Sequence, residues 1–240
     1  MTSLTSARPE VPTVRPAPRA ALFAVAATQF VLMFGAAGVL SSGLGWPQSL
    51  DLPAAQALPL IHEQASTVAL GYSLYFLSAF LLIPLAVMVG GALKERDGSS
   101  AFLSVTVTLG ALAGVLKLLG IVRWLVAMPA LAASYVSGGE ASQATVAVMY
   151  DILNNYAGGV GEALGVQLFA GLWTLLVSVV LFRLPRGRVL GTAGLVASAL
   201  LLAGLTELFG TDLGPVLTVS GVFWQVWLLA LGLTFLRARR

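Results

Sequence analysis

"FLSVTVTLGALAGVLKLLGIVRWLVA", residues 102–127, decides the fold of this chain. As an α-helix it would reach about 39 Å at about 1.5 Å per residue, more than the roughly 30 Å of a bilayer's hydrocarbon. It reads as a membrane span. It also carries two full charges, Lys117 and Arg123, and no acidic residue to answer them.

The rest of the chain agrees with that reading. Of its 240 residues, 58% are hydrophobic and only 10% charged, and the mean hydropathy is +0.92. A soluble domain keeps about 25% charged residues because its surface faces water. The expected fold class is therefore all-α, a polytopic membrane protein whose first partner is the lipid bilayer. Six windows are long and apolar enough to span: 20–42, 67–92, 102–127, 157–182, 189–209 and 214–236. Breakers divide them, among them "GWPQSLDLP", "KERDGSS", "SYVSGGEASQ", "RLPRGR" and "FGTDLGP". Residues 1–18, with four prolines and no long apolar run, read as a disordered cytoplasmic tail before a six-helix domain over 19–240. The apolar run after Arg19 exceeds the 7–15 residues of a secretory core, so it reads as a retained first helix.

Basic residues set the expected orientation. Eleven of the thirteen fall before span one, between spans two and three, between four and five, and after six. With six spans, all four places lie on one side. The opposite loops hold Asp51, His62, Glu63, Glu140, Asp151 and Asp212 without any Lys or Arg. Both termini are expected in the cytoplasm and the protein in a cell's inner (plasma) membrane.

Much chemistry is excluded. There is no cysteine and one histidine, so thiolate catalysis, Cys-ligated metals and multi-histidine metal centres are out. No G-x-x-x-x-G-K-[ST] loop or H-E-x-x-H pair occurs. The net charge of +3 forms no continuous basic stripe, which argues against nucleic acid as a partner. No cofactor and no metal is expected.

What remains is a set of buried charges. Lys117 and Arg123 lie about 120° apart on a helix, on one broad face with Gly110, Ala113, Gly114 and Gly120. Such small residues suit contact with a neighbouring helix, so this face is expected to meet the bundle. Counting about 1.5 Å per residue from the cytoplasmic edge places Lys117 roughly 22 Å up, Glu207 roughly 28 Å, and Arg123 and Glu162 roughly 31 Å. Tyr72 and Tyr75 fall near the same level. On the fourth span, Asp151, Asn155, Gly158, Glu162, Gly165 and Phe169 recur at helical spacing. The run "NNYAGGVGEALG", residues 154–165, has four glycines in twelve residues, which suits close packing or a break where something binds. The candidate ligand-binding residues are Lys117, Arg123, Glu162, Glu207, Tyr72, Tyr75, Asn155 and Asp151; none is assigned a catalytic role.

A lone cation at such depth costs about 2.5–3.5 kcal/mol on insertion scales. Lys117 needs a partner, and by depth Glu207 is nearest, then Glu162. Arg123 has an alternative reading as an interface residue. Gln29 and Gln225 are expected to hydrogen-bond between helices, Pro84 to kink span two, and Trp124, Trp173, Trp224 and Trp227 to fill or anchor.

The run from "GALAGVLKLLGIVRWLVAMPALA" through "NNYAGGVGEALG" to "GLWTLLVSVVLFR" resembles a family of bacterial six-helix membrane proteins, domain-of-unknown-function family 4386. The likeness covers roughly residues 20–236 and is most specific between Gly110 and Arg188. It implies a six-helix bundle with a basic third helix and a Gly–Glu fourth helix, here Lys117, Arg123, Gly161 and Glu162. It implies no activity.

The function expected is binding or transport of a small polar or amphiphilic molecule through an outward-facing charged pocket. Two alternatives stay open. One is a non-catalytic partner subunit or regulator whose charges only lock the helices; the other is an intramembrane lipid or isoprenoid enzyme using glutamate acid chemistry. Six short spans are few for a transporter, which leaves a homodimer or a complex with another membrane protein as an expected partner.

Overall fold

The computed structural model describes residues 19–97, 100–184 and 187–237. The disordered tail expected over 1–18 lies outside the described residues. Among those described there is no strand, and six stretches are long and apolar enough to cross a membrane: Arg19–Leu44, Ala65–Lys94, Ala101–Ser137, Glu140–Phe182, Arg188–Phe209 and Gly214–Arg237. The chain is an all-α, multi-pass membrane protein.

The helices are α1 (Arg19–Leu44), α2 (Ala54–Glu63), α3 (Ala65–Asp97), α4 (Ser100–Leu125), α5 (Ala127–Ser137), α6 (Glu140–Gly159), a π-helical segment (Val160–Ala170), α7 (Gly171–Phe182), α8 (Arg188–Ala203) and α9 (Gly214–Arg237). Short 3₁₀ turns cover Gln48–Asp51 and Gly204–Phe209. The spans form a ring in which α1 packs on α3, α3 on α4, α4 on the π segment, α7 on α8, α8 on α9, and α9 back on α1.

Two spans run longer than their apolar windows. The third continues past residue 127, because Pro129 cannot donate a hydrogen bond to Leu125 and breaks the ladder at Val126 (φ −122°, ψ −62°). The chain resumes as α5, turns at Gly138 and Gly139, and descends as α6 from Glu140. The expected loop "SYVSGGEASQ" is thus mostly helix. With α2, this hairpin caps one end of the ring: α2 packs on α5, and α5 on α6.

The buried apolar residues accordingly fall into two cores. One fills the ring at the end away from the cap, around Leu82, Val89, Trp173, Val177, Trp227 and Leu231. The other lies under the cap, around Leu58, Ile61, Trp124, Met128, Leu131 and Tyr150. Lys117, 4% exposed, belongs to neither.

Lipid offers no hydrophobic drive between helices, so close backbone approach and polar pairs must hold the ring. The small face of α4 does meet the bundle: Cβ atoms built on Gly110 and Gly114 would come within 2.7 Å of Trp173 and 2.6 Å of Ile83. The expected glutamine pairing is also present. Gln29 Nε2 donates to Gln225 Oε1 at 2.9 Å and to Ser78 Oγ at 3.2 Å, and Ser78 Oγ donates to the Gln29 carbonyl at 3.2 Å. This knot joins α1, α3 and α9. Gln225→Leu is expected to lower stability by about 1 kcal/mol, since it costs Gln29 one of its buried acceptors. Chemical unfolding in mixed micelles measures it, and adding Gln29→Leu should recover part of the loss.

Candidate functional site

Under the cap, where the two cores meet, lies a cleft with about 350 Å³ of empty space, its mouth included. Its polar lining is Lys117, Arg123, Glu162, Tyr72 and Tyr75, completed by Trp46, Trp124 and apolar side chains such as Leu50, Ile121 and Val166. Five of the eight residues picked out by sequence are therefore in one wall system. The other three are not. Asp151 and Asn155 are exposed on α6 and line no part of the cleft. Glu207 is half-buried, and its carboxylate accepts a hydrogen bond from the Leu213 backbone N–H at 3.2 Å. It stands within electrostatic range of Glu162 and is not the partner of Lys117 that depth suggested; the carboxylate within electrostatic range of Lys117 is that of Glu162, with no direct pairing.

Local structure explains each placement. Gly120 and Gly161 bring α4 and the π segment into backbone contact: a Cβ on Gly120 would sit 2.5 Å from Gly161 Cα. A Cβ on Gly165 would likewise lie 2.9 Å from the Lys117 backbone N. The glycine-rich run therefore serves close packing, and the helix widens into π geometry instead of breaking. Turns of this kind recur at functional sites because they re-aim side chains. Glu162 lies deep among protein atoms yet keeps an accessible side chain, and it contributes to the cleft lining.

The cations are held by aromatic faces. Lys117 Nζ lies 4.8 Å from the Tyr75 ring centroid and 5.8 Å from that of Trp224. Trp224 is fixed by its Nε1–H donating to Thr174 Oγ1 at 2.8 Å. Arg123 Cζ lies 5.5 Å from the Trp124 ring, which stacks on Tyr72 with centroids 4.6 Å apart and planes within 3°. Trp46 meets Tyr75 edge-on at 6.3 Å. Each such cation–ring contact is worth about 0.5–2 kcal/mol, the higher end when desolvated.

No carboxylate comes within 4.0 Å of Lys117 or Arg123 among the described residues. Arg123 Nη1 donates to the Gly120 carbonyl at 2.9 Å and Nη2 to Asn154 Oδ1 at 3.4 Å; its Nε is buried and unpartnered. Arg123, 9% exposed, is thus a buried residue.

Sequence reasoning missed four contributors. Trp124 and Trp224, expected to fill or anchor, present ring faces to Arg123 and Lys117. Trp46 sits in a breaker, placed by Gly45, whose positive φ of 68° ends α1 with a hydrogen bond to the Ser41 carbonyl at 3.1 Å. Asn154, not Asn155, faces the site, and its Nδ2 also donates to the Leu50 carbonyl at 3.0 Å. Asn154 so ties the Trp46–Leu50 loop to Arg123. Asn154→Ala is expected to speed amide exchange at Leu50 and Leu52 roughly fivefold, the worth of a net hydrogen bond of about 1 kcal/mol. Hydrogen-exchange mass spectrometry reads this directly.

A family model described as "Domain of unknown function (DUF4386)" matches residues 25–233. No curated protein and no solved structure matches the chain.

Proposed function

The chain belongs to the DUF4386 family, and because that membership brings no activity with it, we propose from the site itself that the protein binds or moves a small polar or amphiphilic molecule. The cleft is read as outward-facing, with both termini in the cytoplasm and the protein in the inner membrane. The observation that carries the reading is that Lys117, Arg123, Glu162, Tyr72 and Tyr75, from three separate helical segments long and apolar enough to cross a membrane, line one cleft. Charged side chains there are costly and mark pathways or ligand sites when they face a cavity.

The locking alternative draws less support. A lock needs direct pairing, whereas no carboxylate lies within 4.0 Å of either cation among the described residues. The helices are already held by glycine contact at Gly120 and Gly161.

The orientation and access can be tested together, because the chain has no cysteine. A Glu162→Cys variant should react with a membrane-impermeant thiol reagent added to the outer face of right-side-out vesicles. Reaction from the cytoplasmic face alone, or from neither face, would defeat the outward-facing reading.

A further inference from the structure

We propose that the ligand of this cleft is a small organic monocarboxylate, held by its charge and by N–H groups that the protein itself leaves unanswered. The proposal rests on the binding reading above and names its ligand class.

The polar lining holds donors in excess. Lys117, Arg123 and the Tyr72 and Tyr75 hydroxyls offer hydrogens, whereas Glu162, ionised, is the one lining side chain that can only accept. Arg123 uses Nη1 on the Gly120 carbonyl and Nη2 on Asn154, which leaves its Nε buried and open. Trp46 Nε1 is buried and open as well. Among the described residues three buried side-chain N–H groups lack a partner, and two of them belong to this lining; the third is on Trp173. Folded proteins leave few buried donors open, so two at one cleft call for an acceptor from outside the chain.

Charge points the same way. Lys117 and Arg123 share the lining with a single carboxylate, Glu162, so one further negative charge balances it and a second overfills it. Asp51 and Glu207 act on Glu162 from outside the lining, Asp51 exposed and Glu207 already bonded to the Leu213 N–H. A carboxylate carries one charge on two acceptor oxygens, whereas a phosphate monoester carries about 1.5–2 at neutral pH. A cationic ligand fits badly. The ring faces that would hold it are taken by Lys117 on Tyr75 and Trp224, and by Arg123 on Trp124. The body behind the carboxylate is small and apolar. About 350 Å³ of empty space, mouth included, is near the lower end of the roughly 300–1,000 Å³ of ligand sites, and Leu50, Ile121 and Val166 line part of it.

Benzoate, benzamide and benzamidinium share one shape and differ in charge, so they test this directly. Equilibrium binding to the protein in nanodiscs, with empty discs subtracted, should rank benzoate at least tenfold above benzamide. Benzamidinium should not compete. Trp46→Phe keeps a ring beside Tyr75 and deletes one open N–H. It should weaken benzoate at least fivefold and leave benzamide nearly unchanged, a split that a purely structural role for Trp46 would not produce. Glu162→Gln removes the lining's own carboxylate and should tighten benzoate. Benzamide or benzamidinium binding as well as benzoate, a Trp46→Phe protein that binds benzoate like wild type, or a Glu162→Gln protein that binds it no tighter would overturn the carboxylate proposal while the binding reading stands. If none of the three probes binds, both fall.

Discussion

Gly120→Leu is expected to leave no folded protein in detergent, and Gly120→Ala to cost about 1–3 kcal/mol or more, the range for overpacking a well-packed core. The reason is what a side chain there would strike. Its Cβ would lie 2.5 Å from Gly161 Cα, and 2.9 Å from both Gly161 N and Ala157 O. All three are backbone atoms, so no rotamer change relieves the clash and α4 must move away from the π segment. Alanine gains about 1 kcal/mol in helix propensity over glycine, which is smaller than this penalty. Gly221→Leu supplies the control, since the same insertion there meets nothing within 4 Å and should change stability by less than about 0.5 kcal/mol. Unfolding curves for the three variants decide the matter. Equal stability of Gly120→Ala and wild type would mean that the backbone contact does not organise this site.

Hydropathy exposed the six spans because lipid imposes a length and composition that few other environments do. It did not reveal the α5–α6 hairpin. A helix that leaves the bilayer loses its continuous apolar run, and residues 138–145 contain glycine, serine, glutamate and glutamine that resemble a loop. Pro129 was the available mark of the break at Val126. The third-span cations and Glu162 could be read because charges are conspicuous in an apolar run. Asn154 was missed in favour of Asn155 because the face was traced back from Glu162 at α-helical spacing. Gly158 on that face does meet Arg123, and from it the site is reached by a step of four, to Asn154, and not of three, both being α-helical spacings within α6. Depth arithmetic favoured Glu207 because it fixes height alone and says nothing of where around the bundle a side chain lies; the Leu213 N–H takes the Glu207 carboxylate. Trp46 could not be placed by any local pattern, since its neighbours in the cleft come from α3, α4 and the π segment.

Lys117→Met separates the two remaining accounts of the buried charges most sharply, because they differ in the sign of its effect on stability. If the lysine locks helices, its loss should cost about 3–5 kcal/mol, the price of breaking a buried pair. The geometry argues the other way. Lys117 is 4% exposed, has no carboxylate within 4.0 Å, and is stabilised by two ring contacts and the more distant Glu162. An ammonium so poorly repaid for its lost hydration is a net cost, and an apolar side chain of similar length should stabilise the fold by about 1–4 kcal/mol. Glu162 is not stranded by the change, because its side chain is accessible and Arg123 remains within electrostatic range. The expected result is therefore a Lys117→Met protein that unfolds at higher denaturant than wild type. Adding Glu162→Gln should change stability little further. A residue kept at a cost to the fold is kept for what it does, and stability lost in Lys117→Met but restored by Glu162→Gln would return the pair to a structural role.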